Sequence, residues 1–110
     1  MGKIAADRVI RSSGNVFADL GLPDAAELRT KARLCAALNR VVERQKLTQA
    51  AVAVSLGINQ PKVSALLNYK LEGFSAERLM HFLVPLGQDI EILVKAKPSS
   101  RSARIAVKAA

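Results

Sequence analysis

Gly57 stands between two short apolar-patterned stretches, and each stretch is opened by a residue that caps helices well. Thr48 precedes residues 49–56. Asn59 precedes a run that carries Pro61 in its first turn, where a missing N–H leaves no bond unmade. A glycine just past the end of a helix can take the left-handed conformation that stops it. Two short helices joined by so tight a turn cross at a steep angle. They need a small residue at the crossing and apolar positions that pin both to a third element. Ala53 is that small residue, and Val52, Leu56, Ile58, Val63 and Leu66 are the pins.

The third element is the long run over residues 24–45, which no Gly or Pro interrupts. Asp24 with Glu27 three residues on reads as a variant capping box. Leu28, Cys35, Leu38 and Val42 recur at helical spacing, flanked by Leu34 and Val41. Arg29, Arg33, Arg40 and Arg44 share the opposite face. Such a stripe is ordinarily a solvated face; the alternative is contact with phosphate or an acidic partner. Further on, Ser75 caps a helix through Leu79, Phe82 and Leu83, and Pro85 should kink or end it.

Composition narrows the function. One cysteine and one histidine cannot furnish a structural zinc site, which usually takes four Cys/His ligands. They cannot form an internal disulfide either, which fits a reducing compartment. Four scattered aromatics and no tryptophan argue against a single-strand binder that stacks bases. Nothing approaches the roughly 20 apolar residues of a membrane span, and the charged N-terminus lacks a signal sequence. The expectation is a soluble, cytoplasmic protein. Cys35 lies on an apolar stripe and reads as a core thiol; His81 has no second histidine and reads as structural or exposed. No paired catalytic groups occur at a recognisable spacing, so no enzyme, cofactor or metal is expected. A net charge of +8 favours a polyanionic partner, although an acidic protein or a membrane surface would be served equally.

Residues 49–67 therefore read as a helix-turn-helix, whose second helix enters the major groove of duplex DNA. The side chains left outward are Asn59, Gln60, Lys62, Ser64 and Ala65, with Pro61 in the first turn, Asn68 at the far end and Lys70 just beyond. Glutamine pairs with adenine through two hydrogen bonds, and lysine reaches guanine or a phosphate. Gln49, at the start of the first short helix, is placed to meet a phosphate. The plainer alternative is an ordinary helical hairpin whose polar residues only face water.

The stretch TQAAVAVSLGINQPKVSALL, residues 48–67, resembles the XRE or Cro/C1-type helix-turn-helix. GNVFADLGLPDAAEL at 14–28, KLEGFSAERLMHFL at 70–83 and LGQDIEI at 86–92 are similar to a group of small regulators within that superfamily, the HigA-type antitoxins. The likeness covers about residues 14–95. It implies a mostly helical, lambda-repressor-like domain. It also implies a dimeric repressor that acts on its own operon and neutralises a RelE/HigB-like RNase toxin. Pro85 departs from the alanine-like residue expected there. Two other readings stay open: a stand-alone or phage-type repressor with no toxin, and a protein-interaction module that never meets DNA.

Residues 1–14 read as a flexible arm and 96–110 as a flexible basic tail. Residues 15–20 form a strand or a single helical turn. Residues 89–95 alternate as a C-terminal β-strand with Ile90, Ile92 and Val94 on one face. A lone strand needs a partner. Residues 15–20 or the same strand of a second copy could supply it, the second serving a homodimer; otherwise the segment lies flat on the helices. The expectation is four to five helices plus that strand.

Overall fold

The computed structural model describes residues 22–109, with side chains from Ala25 on. The expectations for residues 1–14 and 15–20 lie outside the described residues. Four helices follow one another: α1 Leu22–Arg44, α2 Gln49–Leu56, α3 Gln60–Leu67 and α4 Ala76–Leu83. Helix α1 begins two residues before Asp24, so Asp24 lies in its first turn and is not its N-cap. Pro23 allows the earlier start, because a proline in the first turn lacks only an N–H that would have no partner there.

The long helix is the backbone of the fold. Leu34, Cys35, Leu38, Val41 and Val42 make its buried face, while Leu28 on the same stripe is 58% exposed. Helices α3 and α4 pack against α1, and α2 packs on α3. Val52, Val63, Leu66 and Leu79 are wholly buried with Cys35 and Leu38. Leu56, Ile58 and Ala53 are partly buried against that core. Each full burial of a residue such as leucine is worth about 1.5–3 kcal/mol. Two hydrogen bonds fasten the seam between α1 and α3. The Cys35 thiol donates to the Leu66 carbonyl at 3.0 Å, and Lys31 Nζ donates to the Leu71 carbonyl just beyond α3 at 3.4 Å. At the other end of α1, Gln45 Nε2 donates to the Leu86 carbonyl at 2.9 Å and ties down the turn after α4.

The helix ends are built from local chemistry. Thr48, Asn59 and Ser75 each sit in extended backbone and accept a hydrogen bond from the third N–H onward, at Ala51, Lys62 and Arg78. Helices α1, α2 and α3 stop in the same way, with one residue at positive φ followed by an amide bonded five residues back, and the turn that follows α4 closes likewise. The residues at positive φ are Lys46, Gly57, Tyr69 and Gly87. The closing bonds run from Leu47 to Val42, Ile58 to Ala53, Lys70 to Ala65 and Gln88 to Leu83. This is the left-handed C-terminal motif that glycine favours. Lysine and tyrosine adopt it here despite a cost of about 1–2 kcal/mol. Helix α4 ends at Leu83, two residues before Pro85.

No strand forms among the described residues. The β-strand expected over 89–95 is not made within this chain. The alternation is present in the sequence, but no other described segment offers its backbone to those residues. The last backbone hydrogen bond of that region is from Gln88 to Leu83. Farther on, Val107 packs against the core.

Two outcomes follow from this packing. A Cβ at Gly57 would meet no atom within 4 Å, so the cost of Gly57→Ala is conformational alone. It should lower the free energy of unfolding by about 1 kcal/mol in urea denaturation; an unchanged midpoint would show that the turn does not need glycine. Burial pushes the Cys35 thiol above its ordinary value of 9.0, only partly offset by hydrogen bonds from Asn39 and the Tyr69 backbone. A raised value in the fold favours the neutral thiol. Its contribution to stability is therefore whole below pH 9.0 and is lost as the pH rises past the folded-state value. A thiol reagent should label Cys35 slowly in the native protein and quickly in denaturant, and alkaline pH should lower the unfolding midpoint.

Candidate nucleic-acid interface

Helix α3 has one face against α1 through Val63 and Leu66, both fully buried, with Leu67 partly buried against the same core. Gln60, Pro61 and Lys62 are exposed in its first turn, while Ser64 and Ala65 are partly buried in the middle. Gln49, the first residue of α2, is exposed as well. Helices α2 and α3 remain separate rods, divided by Gly57 at φ +70°.

Two of the asparagines are engaged locally. Asn59 Oδ1 accepts from the Lys62 amide at 2.9 Å, so one of its two lone pairs is spent on its own helix. Asn68 Nδ2 donates to the Ser64 carbonyl at 2.8 Å, so one of its two amide donors closes its own helix. Gln60, with no such local bond, keeps its whole carboxamide available among the described residues.

The field around this helix has one sign. From Gln45 through Leu71 the chain carries no Asp or Glu, while Lys46, Lys62 and Lys70 fall within the stretch. Neither α2 nor α3 has an acidic residue in its first turn. Both helix N-termini therefore keep their partial positive charge without a side chain to offset it. Such an end attracts phosphate through its free N–H groups.

Lys62, Ala65 and Lys70 line one shallow cleft together with Glu72, Phe74 and Arg78. Arg78 is a residue that the sequence reading missed. Its guanidinium lies 5.4 Å from the Phe74 ring centre and 5.3 Å from that of Phe82. The two rings meet edge to face, 5.9 Å apart at 72°. Part of the signal was present: Arg78 and Phe82 are spaced by four on one side of α4, and Phe74 stands just before the Ser75 cap. The aromatic faces hold the cation in place, and its charge joins the two lysines at the edge of α3. Glu72 is the acidic side chain of that cleft.

The other features with charge or reactivity lie apart from this surface. His81 is exposed, 3.9 Å from Glu77 on the same helix face. Among the described residues no group of His, Cys, Asp and Glu could hold a metal ion. No helix there is long and apolar enough to cross a membrane. Arg29 and Arg33 line a second cleft with Arg104 and Lys108 of the C-terminal segment.

Residues 16–95 match a sequence family described as a helix-turn-helix domain. No curated protein matches the chain. A solved structure named as an XRE family transcriptional regulator is 64% identical and superposes with a TM-score of 0.76, covering 80% of this chain and 100% of its own.

The cation over the two rings carries its own test. Arg78→Ala should lower the free energy of unfolding by about 0.5–1 kcal/mol. Lys62→Ala, at an exposed site with no such contact, should stay within about 0.5 kcal/mol of the parent. Equal losses in the two variants, read by urea denaturation, would remove the aromatic seat from the description.

Proposed function

This chain belongs to the XRE-type helix-turn-helix family of DNA-binding transcriptional regulators, and on that footing we propose that it acts as a dimeric repressor of its own operon and as the antitoxin of a type II toxin–antitoxin module. Two copies would set their α3 helices into successive major grooves, about 34–36 Å apart on one side of the duplex. Gln60 reads an adenine edge, and Lys62 reaches a guanine or a phosphate. Gln49, Lys70 and Arg78 hold the phosphate backbone and set the register without reading sequence. Asn59 mainly fixes the start of α3, and Pro61, Ser64 and Ala65 give the close, low-relief contact that a groove floor requires. Asn68 braces the far end.

The observation that carries the DNA reading is the bareness of Gln60 and Lys62 at the start of a helix whose opposite face is fully buried, in a stretch free of acidic residues. The antitoxin role rests on the blocks at 14–28, 70–83 and 86–92, which resemble HigA-type antitoxins. The partner it implies is a small RNase of the RelE type.

Binding-site selection followed by gel shift on the DNA upstream of its own gene tests the first part. Gln60→Ala should lose about 1–3 kcal/mol of operator affinity and relax the preference at one base pair. An unchanged preference would remove Gln60 from base reading, and no shift at low salt would remove DNA contact from this surface. Co-expression with the product of the adjacent gene tests the second part. Co-purification with relief of its RNase toxicity is the expected result. Operator binding without any such partner would leave a stand-alone repressor.

A further inference from the structure

After α4 the chain runs into residues 89–96, Asp-Ile-Glu-Ile-Leu-Val-Lys-Ala, and every one of them is exposed. Ile92, Leu93 and Val94 are 76%, 80% and 88% exposed, and Ile90 is 36% exposed. Among the described residues no backbone hydrogen bond reaches this segment. Four large aliphatic side chains and a row of unpaired N–H and C=O groups thus lie side by side in water. Backbone groups in this state are a template for pairing with another strand.

The order of the residues says which strand. We propose that residues 89–95 pair antiparallel with the same residues of a second copy, about a two-fold axis through Ile92. In that register Ile92 faces the second copy's Ile92, and Ile90 faces the second copy's Val94 twice over. One side of the ribbon is then a continuous stripe of six isoleucine and valine side chains. On the other side Asp89 faces the second copy's Lys95 at both ends. Glu91 lies opposite the second copy's Leu93 and diagonal to its Lys95. A two-fold contact has to be complementary to itself, and a segment with Asp at one end, Lys at the other and β-branched residues between meets that demand. A parallel pairing in register would instead set Asp89 on Asp89, Glu91 on Glu91 and Lys95 on Lys95. Like charges directly opposite are destabilising.

This inference deepens the two-copy reading above and rests on it, since it names the surface that would join the copies. A two-stranded ribbon is marginal alone. The pairing is therefore weak in free solution and is reinforced when two half-sites hold the copies together.

Cysteine placement tests the register. Directly opposed residues have Cα atoms about 4.5–5.5 Å apart, within reach of a disulfide. Ile92→Cys should therefore cross-link nearly completely under mild oxidation of the full chain. Ile90→Cys should not, because its copies sit four residues out of step, roughly 14 Å apart. The native Cys35 is buried and does not compete. Sedimentation without DNA adds a charge test. Asp89→Lys or Lys95→Asp alone should raise the dimer dissociation constant about tenfold, and the two together should restore it. Because these side chains are exposed, no variant threatens the fold, and circular dichroism checks that. Cross-linking at Ile90→Cys as efficient as at Ile92→Cys, or no rescue by the double reversal, would overturn the pairing. If the parent still dimerises in that event, the two-copy reading survives with another interface. A parent that stays monomeric both free and on operator DNA would end both.

Discussion

The seam between α1 and α3 decides what the rest of this molecule can present. Val63 and Leu66 are buried against the face of α1 that carries Cys35 and Leu38, and the Cys35 thiol bonds to the backbone of α3. A helix of eight residues has little stability alone. Its position comes from being pressed on one side. With Val63 and Leu66 pointing inward, Gln60 and Lys62 flank the buried stripe in the first turn and stay exposed. Helix α2 locks the arrangement, because Gly57 fixes the angle between the two rods and Val52 fills the space beneath them.

The electrostatics follow the same division of labour. The two short helices carry no acidic residue of their own, whereas α4 carries Glu77 in its first turn. The uncompensated N-termini of α2 and α3, with Lys62, Lys70 and the ring-seated Arg78, form one positive surface. Two arginines of α1, Arg29 and Arg33, line a separate cleft with the C-terminal segment.

Much of this could be read from residue types alone, because the signals were local. Thr48, Asn59 and Ser75 announce helix starts through side chains that reach their own backbone, and Gly57 announces a stop through a conformation that few other residues accept. The stops at Lys46 and Tyr69 were not legible, since neither residue favours positive φ; tertiary packing imposes it. Asp24 looked like a cap because its chemistry fits one, but Pro23 tolerates a helix start and moved the boundary upstream. Arg78 escaped notice because its role depends on two rings that the fold brings to it. The strand expected over 89–95 does not form within the chain for another reason. Alternation describes which side chains would share a face, but the partner that makes a strand has to come from elsewhere, and no described segment supplies it.

The acid-free span from Gln45 through Leu71 has a consequence for how such a protein finds its target. If this stretch is the DNA-facing one, as proposed, its lysines would attract any duplex through its phosphates, whatever the base order. Release from wrong sites then depends on dissolved ions reclaiming the DNA, not on any feature of the protein. On the proposed reading, sliding along DNA would follow from the composition of the motif, and ionic strength would set how long each wrong encounter lasts.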